Sequence, residues 1–165
     1  MKVLAIDPGY ARIGIAVLER SNAVEELLHS ACFETSAGRS FAQRLCDIGE
    51  EIARVVKMYE PNALAIETLL FNTNQKTAML VEEARGVIVY EARRGGVSVF
   101  EYTPLQVKIA LTGYGRGTKE QVTAMVRRLV SVREGIIHDD EYDAIAVGLT
   151  HLASQPKYTA QNKGI

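Results

Sequence analysis

Two short apolar segments of similar sequence, each followed by an acidic residue, constrain the fold of this 165-residue chain most strongly. The residues before Asp7 are Val-Leu-Ala-Ile, and the residues before Glu67 are Ala-Leu-Ala-Ile. Wholly apolar runs of this length are typical of strands that helices cover on both faces of a sheet. We therefore expect two buried strands with one carboxylate at each carboxyl end, and neighbouring strands would bring these carboxylates together.

The segments between and after these two runs predict the rest of an α/β fold. A Pro-Gly turn at 8–9 and two further β-rich runs favour three antiparallel strands, after which helical periodicity alternates with strands. The predicted strands are 3–6, 13–18, 27–35, 63–66 and 97–102, and the predicted helices are 41–58, 77–94, 104–111, 118–132 and 139–152. We expect a mixed five-stranded sheet with helices on both faces.

Length and composition favour one domain. A chain of this length with 47% apolar residues can bury one core and is too short for two ordinary domains. We expect a single domain over residues 1–153 and a disordered polar tail over residues 154–165. No apolar stretch approaches the roughly twenty residues of a membrane span, which predicts a soluble cytoplasmic protein without a membrane partner.

The two cysteines, Cys32 and Cys46, lack the spacing of zinc or redox motifs. Both lie among apolar residues, one in a strand-like run and one in a helical run. We therefore expect buried thiols.

A second pair of carboxylates lies in the last predicted helix. Asp140 and Asp143 share one helix face, whereas Glu141 points about 160° away from Asp143 at about 100° per residue. The neighbours Asp139 and His138 are alternative ligands to Asp140, because both lie close to it in the chain. The packing stripe beside the two aspartates consists of Ala144, Ile145, Gly148, Leu149 and Leu152.

Buried carboxylates need a compensating charge. An ionised carboxylate costs several kcal/mol to desolvate unless it is paired or bound to a metal. Taken alone, Asp7 could cap its own turn, and Glu67 could form an ion pair. The carboxylates of both strands and the last helix together, without a cluster of His and Cys, favour Mg²⁺ or Mn²⁺. Two such ions about 4 Å apart can hydrolyse a phosphodiester.

Charge is distributed unevenly along the chain. The formal net charge is −1, yet residues 76–133 contain ten basic and five acidic residues. A basic stretch of this kind is often only a solvated surface. Beside a metal-binding carboxylate cluster it predicts contacts with the phosphates of a nucleic acid.

Seven short motifs are distributed along most of the chain. They are IDPG at 6–9, AIET at 65–68, FNTN at 71–74, EARGVI at 83–88, VFEYTPLQVK at 99–108, GYGRGTKEQV at 113–122 and DDEYDAIAVGLTH at 139–151. Together they resemble the RuvC family of Holliday junction resolvases. The resemblance covers about residues 1–153 and implies a ribonuclease H-like fold and a homodimer. It also implies paired nicks at four-way DNA junctions during recombination and repair, in concert with a branch-migration helicase complex.

The resemblance also implies roles for individual residues. By motif match, the catalytic carboxylates that bind two Mg²⁺ ions per subunit, with Mn²⁺ as an alternative, are Asp7, Glu67, Asp140 and Asp143. Lys108 and Lys119 match family lysines for DNA binding and catalysis. Lys119 begins a predicted helix, where free amides favour phosphate. Arg116 lies in the same glycine-rich motif and is a further candidate for DNA binding.

One position departs from the family pattern. The family often places an aromatic residue three positions after the Glu, where it can stack on a junction base; here this position is Leu70, and the aromatic residue is Phe71. We expect Leu70 or Phe71 to contact junction bases, and a buried Phe71 is the alternative interpretation.

Two other functions remain open at this point. The DPGYARIGIAV segment also resembles the Yqg-type ribonuclease H-like nucleases that act on structured RNA, although that family does not account for ETLLFNTN or TPLQVK. A non-catalytic junction-binding protein on the same fold is the other alternative.

The helix predicted at 77–94 carries more apolar residues than one core-facing stripe requires. This surplus predicts a twofold dimer contact, and the alternative is that it packs under residues 122–130 within a monomer. The apolar residues are Met79, Leu80, Val81, Val87, Ile88, Val89 and Tyr90.

Overall fold

The computed structural model describes residues 1–22, 24–69, 75–136 and 138–155. Within these residues, five strands form one mixed sheet in the order β3-β2-β1-β4-β5. The pairs β1–β2 and β2–β3 are antiparallel, and the pairs β1–β4 and β4–β5 are parallel. The strands are β1 (Lys2–Asp7), β2 (Arg12–Ser21), β3 (Val24–Glu34), β4 (Ala63–Glu67) and β5 (Ser98–Tyr102).

Helices cover both faces of this sheet, which confirms the predicted mixed α/β architecture. Helices α1 and α2 share one apolar core with the sheet, and α3, α4 and α5 share the other. The helices are α1 (Phe41–Tyr59), α2 (Gln75–Arg94), α3 (Pro104–Thr112), α4 (Lys119–Leu129) and α5 (Asp139–Ser154). Capping boxes at Ser40, Thr103 and Thr118 begin α1, α3 and α4, because each cap accepts a bond from the third helical amide.

Alternation along the central strands divides the two cores. In β1, Leu4 and Ile6 pack on the α1/α2 side, whereas Val3 and Ala5 pack on the α5 side. Because β1 and β4 are parallel neighbours with Ile6 opposite Ile66, the residues that follow them leave the sheet at the same edge. The two strands are therefore neighbours, which is the condition under which we expect Asp7 and Glu67 to converge.

Three sequence expectations need correction. Cys46 is exposed on α1 and Cys32 is only partly buried, so the prediction of two buried thiols is wrong. Helix α4 ends at Leu129 rather than near 132, because Val130 has extended backbone angles. The alternative that α2 packs under residues 122–130 is also wrong, because α2 and α4 lie on opposite faces of the sheet.

Ser154 still belongs to α5, and residues 156–165 of the predicted tail lie outside the described residues. None of the described helices is long and apolar enough to cross a membrane.

Candidate active site

Helix α5 lies unusually close to the central strands, because two glycines leave room for it. A β-carbon at Gly14, which pairs with Asp7 across β1 and β2, would overlap the carbonyl oxygen of Asp140. A β-carbon at Gly148 would overlap the side chain of Leu18. The first turns of α5 therefore reach the edge of the sheet where β1 and β4 end.

A cavity of about 240 Å³ lies at this edge. Three carboxylates and two lysines face it, and they come from five different elements: Asp7 (β1), Glu67 (β4), Lys108 (α3), Lys119 (α4) and Asp143 (α5). The apolar part of the wall consists of Pro104, Val107, Val122 and Ala146. The predicted convergence of Asp7, Glu67 and Asp143 is therefore present in the structure.

Lys119 is the direct partner of the aspartates at the mouth of the cavity. Its Nζ donates a hydrogen bond of 2.9 Å to Oδ2 of Asp143 and lies 3.3 Å from Oδ2 of Asp139. The Thr118 cap fixes the start of α4 and so directs this first-turn lysine towards α5. The Lys119 side chain remains half exposed and can exchange one anionic partner for another.

The cavity carboxylates are short of positive charge. The pKa of Asp7 is raised to about 8, first by burial and then by the charges of Asp143, Glu67 and Asp140. The pKa of Glu67 is raised to about 7 by burial and by Asp143, against the opposing effect of Lys108 and Lys119. Burial also raises the pKa of Asp143, although its bond to Lys119 opposes the shift. The positive charges of the two lysines do not offset the negative charges of these carboxylates.

Asp140 stands beside the cavity rather than in its lining. Its Oδ2 lies 3.5 Å from Nε of Arg12 and 4.0 Å from the Sγ of Cys32. Its charge nevertheless raises the pKa of both Asp7 and Asp143, so it belongs to the same electrostatic cluster.

The alternatives to Asp140 face other partners. Asp139 is 74% exposed and meets Lys119, and Nε2 of His138 lies 3.0 Å from Oε1 of Glu34. Glu141 points away from Asp143, as the helix geometry predicted, and is bound by Arg133 on the other side of α5.

The candidate residues for DNA binding lie in different parts of the structure. Lys108 lines the cavity and lowers the pKa of Glu67, so it is not merely a solvated helix charge. Arg116 is exposed in the loop between α3 and α4. Leu70 and Phe71 lie outside the described residues.

Sequence reasoning missed Arg12 and Cys32 as neighbours of Asp140. Arg12 lies in the DPGYARIGIAV segment, but no spacing in the sequence links it or Cys32 to Asp140. Only the pairing of β2 with β3, which sets Gly14 opposite Cys32, and the approach of α5 bring these residues together.

The chemistry of the cavity fits divalent cations. Carboxylate oxygens are the ligands that Mg²⁺ and Mn²⁺ prefer, and the raised pKa values of Asp7 and Glu67 mark a cluster that gains most from added positive charge. The residues that could hold the cations are Asp7, Glu67 and Asp143, with Asp140 beside them.

A carboxylate cluster at the carboxyl ends of neighbouring strands, flanked by lysines on a 3-2-1-4-5 mixed sheet, defines the class as a ribonuclease H-like, metal-dependent nuclease. Residues 3–151 match the family model described as crossover junction endodeoxyribonuclease RuvC. The chain therefore belongs to the RuvC family of crossover junction endodeoxyribonucleases, and it is a phosphodiester hydrolase.

Individual relatives agree with this assignment. The crossover junction endodeoxyribonuclease RuvC of Caldicellulosiruptor saccharolyticus is 41% identical over 155 residues, which are 93% of each chain. A structure of T. thermophilus RuvC in complex with a Holliday junction substrate is 34% identical, with a TM-score of 0.86 over 92% of this chain and 93% of that one. The yeast mitochondrial Holliday junction resolvase Ydc2 shares the fold, with a TM-score of 0.68, 11% identity and coverage of 92% of this chain and 77% of its own.

These comparisons confirm the family resemblance and the ribonuclease H-like fold. They do not favour the alternatives of a Yqg-type nuclease or a non-catalytic junction-binding protein, because the family match spans nearly the whole chain.

Proposed function

We propose that this chain resolves four-way DNA junctions by paired nicks in recombination and repair, and that the cavity beside α5 is where the phosphodiester is hydrolysed. One observation carries the proposal: three partly buried carboxylates with raised pKa values share a cavity with two lysines, in a member of a junction-endonuclease family. The relative from T. thermophilus, solved with a Holliday junction substrate, supports the choice of DNA.

We further propose that two Mg²⁺ ions per chain, or Mn²⁺ in their place, complete the site. Asp7, Glu67, Asp140 and Asp143 would hold them. The cations would supply an activated water and stabilisation of the leaving oxygen. Bound cations would stabilise the ionised carboxylates, because burial first and then repulsion from Asp143 and Glu67 raise the pKa of Asp7.

The chain's own groups supply the rest of the mechanism. Lys108 and Lys119 would bind the oxygens of the scissile phosphate. Lys119 would either exchange its hydrogen bond to Asp143 for one to the phosphate or donate to both at once. Val107 and Val122 line the cavity beside the lysines and would limit the access of water once DNA is bound. Exclusion of water strengthens each of these contacts.

Contacts outside the cavity would follow the basic stretch. Arg116 is exposed and has no hydrogen-bond or ion-pair partner among the described residues, so it is free to meet a phosphate. Leu70 and Phe71 stay candidates for contacts with junction bases. As a DNA enzyme the chain would act in the cytoplasm, with a branch-migration helicase complex.

A homodimer suits a substrate with two equivalent strands, and the outer side of α1 and α2 is the surface that we propose for it. Met79 and Tyr90 of α2 are 65% and 62% exposed, and Tyr90 borders an apolar groove with Leu45 and Val87. Ile88 is fully buried in the core, so it serves the fold rather than the contact.

The dimer can be tested by charge substitution. Tyr90→Glu should shift the sedimentation coefficient to that of a monomer and replace paired nicks in a cruciform by single nicks. Val24→Glu, at an exposed position in β3, is the control and should leave both measurements unchanged. A monomeric wild type that still cuts in pairs within one junction lifetime would contradict the proposal.

The junction activity is tested with a synthetic four-way junction, a linear duplex of the same sequence and a structured RNA. We expect symmetric nicks in two opposing strands of the junction in Mg²⁺, with no product in EDTA. Equal cutting of the duplex or preferential cutting of the RNA would overturn the proposal.

A further inference from the structure

Three metal-ligating side chains of different chemistry meet beside Asp140, outside the lining of the cavity. Cys32 of β3, His138 before α5 and Asp140 each offer one ligand atom, and these atoms lie within 4.8 Å of one another. All three residues are partly buried. Of these three residues, the proposed nuclease reaction uses Asp140.

This ligand set differs from the cavity in the metal it prefers. A thiolate, an imidazole nitrogen and a carboxylate oxygen suit Zn²⁺, whereas Mg²⁺ takes oxygen ligands. Bonds of about 2.3 Å to sulfur and about 2.0 Å to nitrogen or oxygen would set tetrahedral ligand atoms about 3.5 Å apart. Sγ of Cys32 is 4.0 Å from Oδ2 of Asp140, and the three ligand atoms lie within 4.8 Å of one another, so movements of about 1 Å would bring them to these distances.

Glu34 contacts one ring nitrogen of His138, and Arg12 contacts the other. Nε2 of His138 lies 3.0 Å from Oε1 of Glu34, and a proton on Nε2 leaves the lone pair on Nδ1. A carboxylate behind a histidine is the arrangement that orients histidine ligands in zinc sites. Glu34 therefore prepares His138 for a cation.

A positive group already contacts two of the three ligands. Nη1 of Arg12 lies 3.4 Å from Nδ1 of His138, and its Nε lies 3.5 Å from Oδ2 of Asp140. The Arg12 side chain is 53% exposed, so it can turn into solvent when a cation replaces it. The space beside His138 and Asp140 therefore favours a positive group, and the contacts of the Arg12 guanidinium there are long.

We propose that Cys32, His138 and Asp140 form a Zn²⁺ site, with water as the fourth ligand, and that zinc at this site inhibits the nuclease by holding Asp140 away from the catalytic carboxylates. On binding, the Sγ–H proton of Cys32 leaves to solvent as the sulfur–zinc bond forms. The binding site stands on its own geometry, and the inhibition rests on the proposed function.

The binding is tested by competition with a chromophoric zinc chelator under a phosphine reductant. The wild type should bind one Zn²⁺ per chain through this site, and Co²⁺ in its place should show a thiolate-to-metal charge-transfer band. Cys32→Ser should weaken zinc binding at least about 100-fold and abolish the band. Cys46→Ser, which changes the exposed cysteine, is the matched control and should behave as wild type.

Two further substitutions test how neighbouring residues change the zinc affinity of the site. Glu34→Gln should weaken zinc binding about tenfold, because it loosens the orientation of His138. Arg12→Gln should strengthen binding, because it removes the competing cation. Equal zinc affinity in wild type and Cys32→Ser, or zinc bound only by the cavity carboxylates in every variant, would overturn the site.

The inhibition is read from junction nicking in Mg²⁺ with one equivalent of Zn²⁺. We expect a severalfold loss of rate in wild type and Cys46→Ser and no loss in Cys32→Ser. A wild type that binds zinc through Cys32 and keeps its full nicking rate would overturn the inhibition. A chain that binds zinc through Cys32 but never nicks junctions in Mg²⁺ would refute the proposed function and leave the zinc site standing.

Discussion

Asp143 and Glu141 are two residues apart on α5, yet they occupy opposite surroundings. On the cavity side, Asp143 shares its space with Asp7 and Glu67, and its direct partner is the half-exposed Lys119. On the side facing β3, Glu141 is only 3% exposed, and both of its oxygens are bound, by Arg133 at 2.8 and 3.1 Å and by Ser30 at 2.9 Å.

The difference teaches which buried carboxylates serve a function. Glu141 is the more deeply buried residue, but its charge is fully paired, so it holds the start of α5 to β3 and to the preceding loop. The cavity carboxylates are only partly paired, and their pKa values are raised first by burial and then by repulsion that the two lysines do not offset. Shortage of partners, rather than burial, indicates a place for a cation.

The largest effect should come from the cavity side. Asp143→Asn should lower the rate of junction nicking by about a thousandfold or more, because several kcal/mol of metal-dependent stabilisation is lost, while junction binding persists. Single-turnover nicking and gel-shift binding in Ca²⁺ measure the two quantities. Asp139→Asn, which changes the exposed neighbour that also meets Lys119, is the control and should keep most of the activity. The reverse result would place Asp139 in the catalytic cluster instead.

The β3 side should respond in stability rather than in activity. Arg133→Met leaves the buried Glu141 carboxylate without its cation and should lower the free energy of unfolding by about 3 kcal/mol. Ser30→Ala removes one hydrogen bond and should cost about 1 kcal/mol. Urea unfolding gives both values. Nicking per folded molecule should be unchanged. A large loss of activity in Arg133→Met would mean that the β3 side of α5 also contributes to activity.

The pH dependence of stability should separate the two sides further. The pKa of Asp7 is about 8 in the folded chain against an ordinary 3.8, so the folded state binds more protons between these values. This contribution is therefore present in full below about pH 4 and is lost as the pH rises through about 8. Metal-free protein should lose stability between pH 5 and pH 8, and Asp7→Asn should remove about 4 kcal/mol of that loss.

Urea unfolding in EDTA at a series of pH values checks this expectation. Mg²⁺ added at pH 8 should restore the stability of the wild type and should have little effect on Asp7→Asn. An unchanged pH profile in Asp7→Asn would mean that the carboxylate is adequately paired without a metal.

The smallest effect should come from the lysines that partly compensate the cavity. Lys108→Ala should reduce the slope of log affinity against log salt by about 0.9 and weaken junction binding severalfold, because one phosphate contact is lost. Lys57→Ala, at an exposed position on α1, is the control. If both variants kept the wild-type slope, Lys108 would act only on Glu67 and not on DNA.

Much of the fold follows from local pattern. The five strands and five helices appear where periodicity and turn residues predicted them, within a few residues at each end. Where prediction failed, the reason was an environment that local pattern does not encode. Cys46 has apolar neighbours in sequence, but it lies on the exposed side of α1.

The sequence by itself determined the chemistry of the site: carboxylates directly after two buried strands, and two more at i and i+3 on one helix face. These features are local, because the backbone period alone places such residues on a common side. The tertiary structure alone decided which charges meet. The adjacency of β1 and β4, the close approach of α5 at Gly14 and the separate partners of Asp143 and Glu141 join distant residues, and these contacts depend on packing that has no signature in neighbouring residues.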